Sequence, residues 1–417
     1  MSDFGSSIDR KDSGMNILVL TPYAPWPAYG GGTMRIYQLL RGIAKSNRVT
    51  CLTFVPDEAA NAGLAAALPA ITWHTVVGPR PRPSWQRAFD TLFHPWPDMA
   101  LRNHDHGFYV RLHELCVATQ YDLVVGFSIE MVPYLGIAKS YGYATHFDTF
   151  NVEYVIQQRA FLTDIRRPRR WHAAAYSLLQ WYKLWRYERR SLRAVDGASV
   201  VSAGDATILQ SCAPKTPITV VHNGVDTHYF DRSTIDVAHQ PAPTIAFSGT
   251  LDYRANIDAL VWFCAEVLTR VRASIPDAAC VVIGRRPAPV LQALAARGEI
   301  TLTGEVEDTR PYLCGAAVYV VPMRIGGGAR LKVLEAMALE LPIVSTQMGA
   351  EGIDGVPAGV IQIADDAESF AQAVIAALQQ RAVVPAARAF VQRTYDWRVI
   401  TPTWNSALQS TIHHAAQ

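Results

Sequence analysis

A short apolar run (residues 316–321) leads into three consecutive glycines, Gly326, Gly327 and Gly328. Residues 330–338 follow, with apolar side chains spaced as in a helix. A strand, a glycine loop and a helix in that order confine the chain to an α/β architecture. Glycine lets the backbone turn tightly and meet a ligand with no Cβ in the way. A helix start offers unpaired N–H groups and the positive end of a dipole, which suits phosphate. Arg330 and Lys332 stand in that first turn, where cations oppose the dipole. An anion bound there would account for both. The pattern predicts a diphosphate held at this helix start, of the kind a sugar nucleotide carries.

The same alternation fills the rest of the chain. Residues 16–21 are apolar and enter a proline-rich loop (22–27), then Gly30, Gly31 and Gly32. A helix pattern follows at Met34, Ile36, Leu39, Leu40 and Ile43. Residues 49–55, 71–77 and 122–126 read as further strands. So do 244–249, 279–284, 300–304, 318–321 and 342–346, with a helix over 256–273. Strand, loop and helix repeated in this way predict two doubly wound, Rossmann-like units. The expected division is a disordered polar leader (1–14), a first domain (15–228), a polar hinge (229–243), a second domain (244–390) and a C-terminal segment (391–417). Ligands of such sheets gather at the carboxyl ends of the strands, so two sheets predict a cleft between them.

Composition narrows the class. Half of the 417 residues are hydrophobic and 18% are charged, which describes a globular chain of two or three domains. A net charge of +2 gives no reason to expect nucleic acid. The six cysteines are scattered, with no Cys-x-x-Cys pair, and read as reduced core residues of a cytosolic protein. No metal-binding motif is visible, and no apolar run approaches the ~20 residues that span a bilayer. A soluble or peripheral protein is expected.

Residues 159–193 differ in kind. Arg166, Arg167, Arg169, Arg170, Lys183, Arg186, Arg189, Arg190 and Arg193 interleave there with Trp171, Tyr176, Trp181, Tyr182, Trp185 and Tyr187. Two readings stand side by side: a helix lying on an anionic membrane surface, and an amphipathic helix packed on the first domain.

Several pieces now match a known pattern in order and spacing. They are residues 316–353, with 330–338 at their centre, residues 222–226 at the hinge, 249–256, 304–308 and 151–153. With these the sequence resembles the GT-B-fold glycosyltransferases of family 4, which are retaining enzymes. The resemblance implies that Glu335 bonds the ribose hydroxyls and that Gly304 and the backbone near Val306 meet the base. It also implies that Gly249, Gly326 and Gly328 border the donor, and that Gly30, Gly31 and Gly32 face it from the other domain. The C-terminal helix should cross back to the first domain. Arg35, Asn151 and Glu153 are candidates for the acceptor side; a helix cap is the other reading for Asn151. Three departures stand out. Gly327 occupies the place of a glutamate that touches the transferred sugar in many members. Thr250 and Ala255 occupy the places of an Arg and a Lys that neutralise the diphosphate. Phe150 replaces a His, with His146 close by in sequence. Arg330 and Lys332 are the natural replacements for the two lost cations.

The function expected from this resemblance is metal-independent, retaining transfer of a sugar from a nucleotide-diphosphate sugar to a hydroxyl acceptor. Arg330, Lys332 and the Gly327 loop stabilise the leaving group, and no cofactor is needed. A lipid-linked saccharide or other glycan at the cytoplasmic face of a membrane is the expected acceptor. A nucleotide-sugar epimerase of the same fold and a non-catalytic partner that binds sugar nucleotide or glycan are the alternatives.

Overall fold

The computed structural model describes residues 14–166, 168–237, 243–327 and 330–417. The expectations for Gly328, for Arg167, for residues 238–242 of the hinge and for residues 1–13 of the leader lie outside the described residues.

Thirteen strands among the described residues form two wholly parallel sheets. The first contains β1 (Asn16–Thr21), β2 (Arg48–Val55), β3 (Ile71–Val77), β4 (Leu123–Phe127), β5 (Ala144–Asp148), β6 (Gly197–Val200) and β7 (Ile218–Val220). Its order is β3-β2-β1-β4-β5-β6-β7. The second contains β8 (Thr244–Ser248), β9 (Ala279–Ile283), β10 (Thr301–Leu302), β11 (Val318–Val321), β12 (Ile343–Ser345) and β13 (Ile361–Ile363), ordered β10-β9-β8-β11-β12-β13. The central strands β1, β4, β8 and β11 are buried along nearly their whole length and mostly apolar because helices cover both faces, as parallel sheets require. Each sheet reverses its order once, between β1 and β4 and between β8 and β11. In open α/β sheets ligands bind in the crevice at such reversals of strand order.

Eight helices matter below. They are α1 (Gly31–Ile43), α2 (Ser84–Phe93), α3 (Val132–Ser140), α4 (Glu153–Asp164), α5 (Trp171–Ala194), α6 (Arg254–Trp262), α7 (Leu331–Ala338) and α8 (Trp397–Ala415). Gly31 and Gly32, which precede the helix pattern read from Met34, form the first turn of α1. The Thr33 hydroxyl closes that turn on Gly30. α1 buries Ile36, Leu39, Leu40 and Ile43 against the first sheet, and α8 joins the same cluster through Trp397, Ile400, Trp404 and Leu408. The chain reaches the first domain from the second where Val225 bridges Asp396. α1 and α8 approach so closely that a Cβ on Gly42 would lie 1.9 Å from the Thr401 methyl.

α5 places the basic, aromatic segment. Ala174, Ser177, Gln180, Lys183, Leu184, Glu188 and Leu192 face the first domain, while Trp171, Tyr182 and Trp185 stay exposed. The inner face is therefore packed and the outer face is open. Among the described residues no helix is long and apolar enough to cross a membrane.

Candidate functional site: the interdomain cleft

The residues that follow β11 define the site. The chain leaves β11, passes Gly326 at φ +111°, and enters α7. A side chain at Gly326 would be strained, and its Cβ would sit 3.1 Å from the Arg330 guanidinium. Ala255 borders the same point at 3.5 Å, so Arg330 reaches the place from which a cation is missing at Ala255. Arg330 is 9% exposed. Its Nε and Nη2 have no hydrogen-bond partner among the described residues. Burial, foremost, pulls the guanidinium below its ordinary pKa. An unpaired buried donor costs about 1–3 kcal/mol, more when it is charged, so this arrangement suits an anion.

Lys332 sits beneath it. Its Nζ donates to the Ser248 carbonyl (3.2 Å) and to Asn256 Oδ1 (3.0 Å), and it lies 4.1 Å from the Phe247 ring centroid. Burial, with Arg330 adding to it, brings Lys332 down to about 7. Glu335 lies one turn along α7. Burial raises it to about 7, with Lys332 opposing, and its carboxylate accepts no hydrogen bond among the described residues. Gly249 ends β8 and Gly304 follows β10; they meet through Gly284, whose N–H donates to the Gly304 carbonyl (3.3 Å). A Cβ on Gly284 would fall 1.9 Å from the Gly249 carbonyl oxygen. Val306 packs against the same core cluster as Leu331.

The first domain meets this loop from the opposite side. A Cβ on Gly31 would stand 3.4 Å from Leu331, which places the start of α1 against the start of α7. Gly32 leaves room for the Tyr23 hydroxyl (2.2 Å from its ideal Cβ) and for Phe150 (3.3 Å). Gly327 faces α4: its Cβ would lie 3.2 Å from Ile156 and 3.6 Å from Arg159 Nη1. A cavity of about 140 Å³ lies there, lined by Asn151, Arg159, Asp205, Gly327, Glu351 and Asp354. Asn151 Nδ2 donates to Glu153 Oε1 (3.2 Å), so its side chain does not cap α4. The Glu188 carboxylate does, accepting from the backbone N–H of Glu153 (3.0 Å) and Tyr154 (2.8 Å). Burial raises Glu153 to about 7, and the neighbouring Glu130 adds to the rise.

Arg35 requires a correction. It is 1% exposed. Its Nε and Nη2 clamp Asp148 (2.9 Å each), and its Nη1 donates to the carbonyls of Val221 and His222 and to Asn223 Oδ1. The Asp148 pair ties α1 to β5 and the other three contacts tie residues 221–223 to α1, so the buried guanidinium holds the first domain together instead of facing an acceptor. His146 does not stand in for the histidine replaced by Phe150 either. It is buried between Thr411 of α8 and Ser199, and burial pushes it down to about 4, so it is neutral.

Two residues of the cleft were not singled out from sequence. Arg159 bridges the domains, donating to both Glu351 carboxylate oxygens (2.7 and 2.8 Å) and to the Gly326 carbonyl (3.3 Å). Nothing near Arg159 in sequence marks this, because its partners are 167 and 192 residues away. Glu130 follows β4 through Ser128, a residue at φ +68°. It accepts a short hydrogen bond from Ser128 Oγ, and burial raises its pKa.

Two Rossmann-like domains with ligand-facing loops opposed across a cleft define the GT-B architecture. Solved structures with this fold superpose on almost the whole chain. Sucrose-phosphate synthase from Thermosynechococcus elongatus is 17% identical, with a TM-score of 0.67 over 96% of this chain and 100% of its own. Anabaena HepE in complex with UDP is 12% identical, with a TM-score of 0.64 over 95% and 100%. A UDP-forming α,α-trehalose-phosphate synthase from Burkholderia xenovorans is 13% identical, with a TM-score of 0.60 over 95% and 99%. Residues 29–229 match the family described as Glycosyltransferase Family 4, and residues 242–380 match Glycosyl transferases group 1. The chain belongs to these group 1, family 4 glycosyltransferases. A curated relative, an uncharacterized 44.6 kDa protein in the cps region of Klebsiella pneumoniae, is 26% identical over 165 residues. That match spans 36% of this chain and 42% of the relative's length.

Proposed function

We propose that the protein transfers a sugar from a nucleotide-diphosphate sugar to a hydroxyl acceptor, with retention at the anomeric carbon and without a metal. The observation that carries this reading is the buried Arg330 guanidinium, unpaired beside Gly326 at the start of α7. The α- and β-phosphates lie against Arg330 and the N-terminus of α7, with Lys332 beneath. Glu335 accepts from the ribose hydroxyls, and Gly304 and Val306 border the base. As the C1–O bond to the β-phosphate breaks, charge grows on that phosphate and Arg330 stabilises it. The acceptor oxygen attacks from the same face, and its proton passes to the departing phosphate oxygen. Asn151 and Glu153 face the acceptor.

The proposed acceptor is a lipid-linked saccharide, met at an anionic membrane surface by the open face of the 159–193 segment. The relative's cps label and the basic, aromatic composition of that face support this choice.

The test is a thermal-shift screen against UDP, GDP, TDP and ADP and their common sugars, with and without EDTA, followed by turnover. UDP compounds come first because the HepE structure holds UDP. One nucleotide series should raise the melt regardless of EDTA. Arg330→Ala should cut turnover on the order of 10²–10³-fold. Conversion of the donor alone would indicate an epimerase. Binding without turnover on any acceptor would indicate a non-catalytic partner, and a melt unmoved by every nucleotide would refute the donor site.

A further inference from the structure

α2 has no buried residue. Trp85, Phe89, Leu92 and Phe93 are 58–73% exposed, at the spacing of one helix face. An unpartnered apolar stripe of this size marks an interaction site. The helix is nevertheless held firmly. Lys183 of α5 donates to the carbonyls of Asp90, Thr91 and His94, capping the C-terminal end of α2.

Behind that cap lies a groove of about 1110 Å³ between α2, α3 and α5. Leu92, Phe93, Trp96 and Ile137 make it apolar on one side. Arg186, Arg189, Arg190 and Arg193 line the other, and none of the four forms an ion pair among the described residues. Arg189 Nε is buried with no hydrogen-bond partner, while its guanidinium stacks 5.6 Å from the Trp185 ring centroid. Arg186 lies 5.7 Å from the Tyr182 ring centroid. The groove has a direction. Val132, at its wall, follows Glu130 at the cleft edge of the first sheet, and Arg193 precedes β6 at the opposite edge. Leu92 and Phe93 belong both to the groove and to the exposed stripe, so the two are continuous.

We infer that this groove holds the lipid anchor of the acceptor, a long-chain lipid phosphate or diphosphate. The inference rests on the glycosyltransferase reading above. Arg193 Nε donates to the Cys212 carbonyl (2.9 Å) and Arg186 Nη1 to the Tyr182 hydroxyl (3.3 Å), but among the described residues no carboxylate meets any of the four. An apolar wall facing arginines without carboxylate partners fits a molecule that carries a chain and a phosphate together, and guanidinium forks suit phosphate. The α2 stripe gives the chain a route from membrane to groove, and Val132 leads it toward the cleft.

The test uses the full-length protein and neutral phosphatidylcholine vesicles doped either with a polyprenyl phosphate or with phosphatidylglycerol at equal surface charge. Co-flotation and quenching of tryptophan fluorescence report binding. The lipid phosphate should bind at least tenfold more tightly than phosphatidylglycerol. The double variant Arg186→Ala, Arg190→Ala should lose tenfold or more, with the lysine versions retaining part of it. The nucleotide-induced melt shift should be unchanged in each variant, which shows that they fold. Equal binding to both vesicles, or displacement by millimolar inorganic phosphate, would overturn the groove while leaving the nucleotide site intact. Loss of the nucleotide shift in the unaltered protein would instead overturn the parent reading.

Discussion

Lys332 and Glu335 sit three residues apart on one helix and are both brought to about 7 by burial, from opposite directions. Their titration predicts the protonic signature of nucleotide binding. At pH 6 Glu335 is mostly protonated, and ribose hydroxyls that donate to its carboxylate will drive a proton off. At pH 8 Lys332 is mostly neutral, and a diphosphate will draw a proton on. Calorimetry in two buffers of different ionisation enthalpy should therefore find proton release at pH 6 and uptake at pH 8, with affinity falling above pH 7. No proton exchange at either pH would mean that neither group meets the ligand. The same carboxylate makes a stability prediction. Its folded pKa is raised from 4.5, so burying the charge costs stability that grows between pH 4.5 and 7 and is fully present above. Glu335→Gln should raise the melting temperature of the free protein by about 2–4 °C at pH 8 and leave it unchanged at pH 5, while weakening nucleotide binding. The sequence singled out Lys332 as a cation opposing the helix dipole and Glu335 by resemblance, and the structure adds that both are buried. Arg35 was misread as an acceptor-side residue. Its purpose is Asp148, more than a hundred residues away, and only the fold brings them together.

The elements were legible wherever apolar runs were long. β1, β2, β8, β9, β11 and β12 carry their burial in their composition, and α1 carries it in a 3.6-residue period, whereas β13, short and largely exposed, was not read as a strand. β6 and β7, short and mixed in composition, gave no such signal and take their pairing from β5. α2 was missed although Trp85, Phe89, Leu92 and Phe93 recur at helix spacing, and its apolar face is left exposed. The contact of α1 with α8 tests how the two ends of the chain are joined. Gly42→Ala would drive a Cβ into Thr401, and overpacking of that kind costs about 1–3 kcal/mol. The melting temperature should fall by several degrees, and Thr401→Ala should recover part of the loss by removing the nearest methyl. A Gly42→Ala protein that melts normally would mean that the two helices are further apart than described here.

On the scale of the whole molecule, α4 is the fastener between the domains. Arg159 reaches Glu351 and the Gly326 carbonyl, and Asp164, at the other end of the helix, holds Arg254 of α6 at 2.7 Å. Partly exposed ion pairs are weak, worth up to about 1 kcal/mol each. The closed cleft should therefore loosen readily. The double variant Arg159→Ala, Arg254→Ala should increase the radius of gyration in solution scattering and raise the donor KM on the order of fivefold. Unchanged scattering would assign closure instead to the close approach of Leu331 to the Gly31 backbone and of Ile156 to the Gly327 backbone.

The central claim is that Arg330 holds a diphosphate. The most direct measurement compares the affinity of the best nucleoside diphosphate with that of its nucleoside, in the parent protein and in Arg330→Ala. The account predicts that the variant loses about a hundredfold for the diphosphate, near 2.7 kcal/mol, and little for the nucleoside, whose ribose still meets Glu335. Equal losses for both ligands, or no loss for either, would contradict it.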